Sequence, residues 1–321
     1  MTADDVRTAV AQRFPGSDAA PGNNEFVIFS KPELGRLTGD DLDKVWDLFA
    51  ELLETYEVTV HTSMTLTGPE LEASGAMQDH YGVINQISRL GRPALTEPAE
   101  AALAEAYGDT LSDAVVLGGH QFLDEYPDVS AYALGLLFAN AEVKRLGPGT
   151  YAGLVTIDGT PVVILNGFHP RQLSFFTAED TVCAFLHASS PTNWGTLRSD
   201  LIGTTDPAKA DGASIRGRLF ADPAGFGLET VSYNFNGVHM SAGPLEGLAE
   251  LNRFFGSGAP IASWTFAQAL SGAGLTEDAV TDLLANPTIE AGGERGTAFD
   301  LTEGLDAADA APLLAGATPA E

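Results

Sequence analysis

The chain has 321 residues, 44% of them hydrophobic, and a mean hydropathy of +0.04; that is material for a sizeable core and excludes a disordered chain. Its 44 acidic and 16 basic side chains give a formal net charge of −28. Such a surface repels a nucleic-acid backbone and excludes a nucleic-acid grip, while a small anion stays within reach of a few focused arginines and backbone N–H groups.

Residues 3–14 read as a short helix ended by the Pro/Gly/Asn loop PGSDAAPGNN, so 1–23 stand apart as helix and loop. No basic, apolar leader opens the sequence, and no apolar run nears the ~20 residues that cross a bilayer, which points to a cytoplasmic protein with no membrane partner. EFVIFS (25–30) is a buried strand. Lys31 follows it, where open α/β architectures present ligand-binding side chains. Leu42, Val45, Trp46, Phe49, Leu52 and Leu53 recur three or four apart and make 40–56 an amphipathic helix. Apolar residues alternate through 57–66, a strand, and 69–90 is helical with a break near Gly75.

Residues 91–148 read as an insert: an Ala/Glu-rich helix, a short strand AVVLGG, and a helix that ends at Gly147. TYAGLVTIDGTPVVILNGF is two strands around Asp158-Gly159, a hairpin signal. TAEDTVCAFLHAS and TNWGTLRSDLIG read as helical, and GRLFADPAGFGLETVSYNF as strand-like with a turn. The lone Cys183 rules out an internal disulfide and reads as a buried structural thiol. Helices follow at 244–255, 262–272 and 276–285, then an Ala/Asp/Pro-rich, loosely held tail. Setting the insert aside, the order is strand–helix–strand, strand–helix, strand. That predicts an α/β (α+β) chain built on the βαββαβ antiparallel sheet of the ferredoxin-like superfold. The expected organisation is a domain over 24–256, the insert 91–148 within it, and a C-terminal helical extension over 257–321.

The chemistry gathers around His239, in NFNGVHMSAG. Glu250 follows eleven residues later and can fold back from the next helix to fix the imidazole tautomer, leaving the other nitrogen as a nucleophile. Upstream, Thr205 and Arg216 frame a loop rich in Pro, Gly and Ala, and a hydroxyl and a guanidinium so placed can hold phosphate oxygens. No spacing among the remaining histidines resembles a zinc site.

Taken in order, Lys31-Pro32-Glu33, His80-Tyr81, Thr205-Asp206-Pro207-Ala208, Gly212-Ala213-Ser214-Ile215-Arg216-Gly217, Asn236-Gly237-Val238-His239-Met240-Ser241 and Glu250 resemble the motifs of nucleoside diphosphate kinases, over 24–90 and 150–256. The resemblance implies an enzyme in which His239 is transiently phosphorylated by a nucleoside triphosphate carrying Mg²⁺, with Glu250 orienting the ring. It also implies that Lys31, Tyr81, Thr205, Arg216 and Asn236 surround the moving phosphoryl group, and that the chain forms a homo-oligomer. The family's second phosphate-binding arginine falls on Ser199, beside Arg198. An aspartate of the family's histidine motif is lost, a bulky Met240 follows the histidine, and the insert stands where the family holds the nucleoside base. These departures suggest a specialised acceptor. Two alternatives stand beside that reading: a different reaction on a nucleotide or phosphorylated metabolite in a retained phosphate pocket, and a non-catalytic nucleotide-binding module.

Overall fold

The computed structural model describes residues 3–320. Its strands are β1 (Asn24–Ser30), β2 (Thr59–Thr67), β3 (Val115–Gly118), β4 (Val143–Gly147), β5 (Thr150–Ile157), β6 (Thr160–Leu165), β7 (Val182–Ser190), β8 (Val238–Met240), β9 (Thr288–Ala291), β10 (Glu294–Thr297) and β11 (Thr318–Pro319). The class is mixed α and β, with largely antiparallel sheets. The chain divides into two compact units, one of residues 1–67 with 180–321 and one of residues 68–179. No helix among the described residues is long and apolar enough to cross a membrane.

The first unit is organised by a four-stranded sheet in the order β2-β7-β1-β8, every neighbouring pair antiparallel. One face packs against helices α1 (Ala3–Arg13) and α2 (Gly39–Thr55) and the segments after β7. Phe26 and Ile28 of β1 meet Val45, Trp46 and Phe49 there, with Leu197, Leu201 and Leu219 completing the cluster. On the other face of β1, Phe29 packs with Phe185 and with Phe254 of a later helix. Both faces of β1 are therefore buried, which is why EFVIFS reads as an unbroken apolar run. Gly35 lets the turn after β1 touch β7: a Cβ there would stand 1.6 Å from the Val182 carbonyl oxygen.

β7 corrects the reading of TAEDTVCAFLHAS as a helix. Eight of the nine β7 residues are buried, so the run lacks the alternation that distinguishes a half-exposed strand, and a short apolar run of this kind does not separate strand from helix by periodicity. GRLFADPAGFGLETVSYNF is also corrected: it holds helix α3 (Ile215–Ala221) and a loop rather than a strand, with Ser214 capping the helix through Gly217 N. Cys183 is buried, as expected, and burial pushes its thiol pKa far above the ordinary range.

The tail expected to be loose is docked. Asp306 accepts hydrogen bonds from Asn24 Nδ2 at 2.8 Å, Asn193 Nδ2 at 2.8 Å and Trp194 N at 2.7 Å. The helix Ala307–Ala315 buries Ala310, Ala311 and Leu314, and β9, β10 and β11 form a small sheet in the order β10-β9-β11. Alanines on one helix face allow close packing that a composition-based reading takes for disorder.

The second unit has its own four-stranded sheet, in the order β3-β6-β5-β4. The Asp158-Gly159 hairpin forms as predicted, with both turn residues at positive φ (49° and 83°), but it pairs β5 with β6 inside this unit. The interrupting unit thus runs from Gly68 to Glu179, wider than 91–148. The segment expected to be one helix up to Gly147 is the helix Ala131–Asn140 followed by β4.

Candidate active site

His239 lies at the middle of β8, the fourth strand of the first-unit sheet, and not on the turn before the helix as its neighbours suggest. Val238 and Met240 point into the core, so strand alternation turns His239 to the opposite face. There it pairs in register with Phe29 and stacks on its ring, centroids 4.3 Å apart and planes inclined by 20°. The next helix, α4 (Pro244–Phe255), brings Glu250 to the ring: His239 Nε2 and Glu250 Oε1 are 2.8 Å apart. The histidine side chain is 20% exposed and the glutamate 1%. Ser241 Oγ donates to Glu250 Oε2 at 2.5 Å and accepts from Val27 N at 3.0 Å, tying the carboxylate to the central strand.

This triad fixes the ring. A carboxylate is an acceptor only, so the proton between Glu250 and the ring sits on Nε2, and Nδ1 is the nitrogen with nucleophilic character. The serine hydroxyl and the stacked phenyl ring hold the pair in one geometry. The family resemblance, with its eleven-residue separation, points to His239 and Glu250; Ser241 lies in the same motif, and its bond to the carboxylate is visible only in the structure.

The cationic groups gather at the edge where β1 meets β8. Lys31 N donates to Gly237 O at 2.8 Å, and Gly237 N donates to Glu33 Oε1 at 2.7 Å, so the Lys-Pro-Glu turn is latched to the residue before β8. Burial, opposed by Glu33 and helped by Arg216, lowers the Lys31 pKa to about 8; burial raises that of Glu33. Arg216, from α3, gives Nη1 to Gly203 O and Nη2 to Val238 O, each at 2.8 Å. Burial first, then Arg198, lowers its pKa to about 10, so it stays charged at neutral pH. Its Nε is buried with no partner among the described residues, and so is Asn236 Oδ1. Asn236 Nδ2 donates to Thr205 O at 2.9 Å and Tyr233 O at 3.2 Å. The Thr205 side chain itself is exposed.

Arg198 lies on the wide π-type turn Leu197–Ile202 and pairs with Glu303 at 2.5 Å. Its charge acts on both Arg216 and Glu246. The structure thus gathers Lys31, Arg198, Arg216, Asn236, His239 and Glu250 in one unit. Tyr81 belongs to the second unit, where its ring stands 5.8 Å from His169 and 6.0 Å from Phe176.

Comparisons with protein-family models, with curated proteins and with solved structures each return no match.

Proposed function

We propose that the first unit is a phosphotransferase of the nucleoside-diphosphate-kinase kind, in which His239 takes the terminal phosphoryl group of a nucleoside triphosphate and passes it to a second substrate. The observation that carries this reading is the His239–Glu250 bond of 2.8 Å, closed by Ser241, on a ring that retains solvent access. The sheet order supports the ferredoxin-like reading: with β1, β2, β7 and β8 numbered one to four, the strands lie 4-1-3-2, all antiparallel.

In this reaction Nδ1 attacks the γ-phosphorus in line. The bond to the bridging oxygen breaks, and its electron pair leaves on the diphosphate. Positive charge grows on the imidazole as the N–P bond forms, and the buried Glu250 carboxylate stabilises it more in the transition state than before it. Lys31 at the end of strand β1 and the buried, charged guanidinium of Arg216 set a positive field for the negative oxygens; Arg198 can exchange its partly exposed pairing with Glu303 for a phosphate, since such a surface pair is worth only about 0–1 kcal/mol. Glu250 is committed to His239 and Ser241, and Glu33 to Gly237 N. Mg²⁺ would enter as the counter-ion of the triphosphate.

One observation favours a different reaction in the same pocket: Arg216 spends both Nη groups on backbone carbonyls, which leaves a thinner anion grip than the family resemblance implies. A phosphorylated metabolite with fewer charges would suit it.

Incubation with γ-labelled ATP and Mg²⁺ tests the leading reading. Acid-labile, alkali-stable label on the wild type and none on His239→Ala is the expected result. Equal labelling of the two proteins, or no label on the wild type, refutes phosphotransfer through His239.

A further inference from the structure

Helix α4 carries a second carboxylate. Glu246 stands four residues before Glu250, one helical turn away on one face. Its Oε2 accepts the Ala242 N–H at 3.0 Å, which fixes the carboxyl against the turn leading out of β8. Its Oε1 has no hydrogen-bond partner among the described residues, and the side chain is partly exposed. The charged groups that act on it are Glu250 from its own helix, His239 from β8 and Arg198 from the wide turn, itself paired with Glu303. Burial first, and then Glu250, raise the Glu246 pKa to about 7, against the opposing pull of His239 and Arg198. This carboxyl therefore exchanges its proton at neutral pH, the condition under which a general base is most effective.

Resting on the phosphohistidine reading, we propose that Glu246 is the general base for a hydroxyl acceptor, so that the second substrate is a small hydroxyl-bearing molecule rather than a nucleoside diphosphate. A diphosphate oxygen is already anionic at neutral pH and needs no base. A hydroxyl must lose its proton as its oxygen bonds to phosphorus. Here the hydroxyl oxygen attacks the phosphorus of phospho-His239, and the N–P bond breaks with its electron pair returning to the ring. The hydroxyl proton passes to Glu246 Oε1. A carboxylate one helical turn from Glu250 disfavours an anionic acceptor, whereas an alcohol requires no cation.

The experiment loads His239 of the full chain with phosphoramidate, a donor that bypasses the nucleotide, and follows loss of the phosphohistidine in the presence of glycerol or of ADP. Rates are taken from pH 5.5 to 8, in H₂O and in D₂O. Discharge to glycerol is expected to rise with pH through about 7, to slow in D₂O, and to fall about 10²-fold in Glu246→Gln. Discharge to ADP, in the same variant, is expected to fall far less, which also reports that the site is folded. Equal losses for glycerol and ADP, or a glycerol rate indifferent to Glu246→Gln, overturns the assignment. So does a wild-type glycerol rate no greater than that in buffer alone. If phosphoramidate labels His239 and ATP with Mg²⁺ does not, the nucleotide donor is wrong while the hydroxyl test still decides; if neither labels it, both readings fall.

Discussion

Glu250→Gln isolates the charge of the carboxylate while keeping its shape. The wild-type oxygens receive the ring Nε2–H and the Ser241 hydroxyl, at 2.8 and 2.5 Å. The amide offers one acceptor and one donor. If its oxygen faces His239, the tautomer survives and Ser241 must turn its hydroxyl toward Val27 O, now 3.4 Å away. If its NH₂ faces the ring, Nε2 becomes the acceptor, the proton moves to Nδ1, and the nucleophile is lost. In the first case the loss is that of a hydrogen bond to a charged group, about 1.5–3 kcal/mol. That bond strengthens as the imidazolium forms, so the loss falls on the barrier and slows phosphorylation roughly 10- to 150-fold. Rapid-quench measurement of acid-labile label at saturating ATP gives this rate directly. A variant as fast as wild type would show that the carboxylate charge does not stabilise the phosphorylated ring; complete loss of labelling with intact nucleotide binding would select the flipped amide.

The Lys31 pKa of about 8 lies below its unfolded value of 10.5, so the unfolded chain holds more protons between those values; this group's stability contribution rises over that window and is constant below pH 8. Function runs the other way: the cation is lost above pH 8, so nucleotide affinity by calorimetry is expected to weaken up to about tenfold by pH 9 in wild type, and to hold in Lys31→Arg. Asp306→Ala removes the acceptor of three hydrogen bonds from Asn24, Asn193 and Trp194. The expected destabilisation is about 2–4 kcal/mol in urea unfolding, and a shift below 0.5 kcal/mol would show that the tail does not hold the start of β1.

Local signals in the sequence determined much of the first unit. The three-to-four spacing from Leu42 to Leu53 specified α2, the apolar EFVIFS run specified β1, and the motif order behind the family resemblance pointed to the bonded pair of His239 and Glu250. Each of these depends on residues close in the chain, or on one helix turning a side chain back toward the strand before it. The tertiary structure alone decided the rest. β7 is a strand because β1 and β2 flank it and helices cover it, and burial on both faces erases the periodicity that would announce it. The Asp158-Gly159 turn encodes a hairpin but not which sheet receives it, since sheet membership is set by pairing between distant strands. Val238 and Met240 entering the core turn His239 toward Phe29 and α4. The same packing fixes Arg216 on two carbonyls, a commitment that no spacing of arginines in a sequence reveals, because its partners lie 13 and 22 residues away and are backbone atoms.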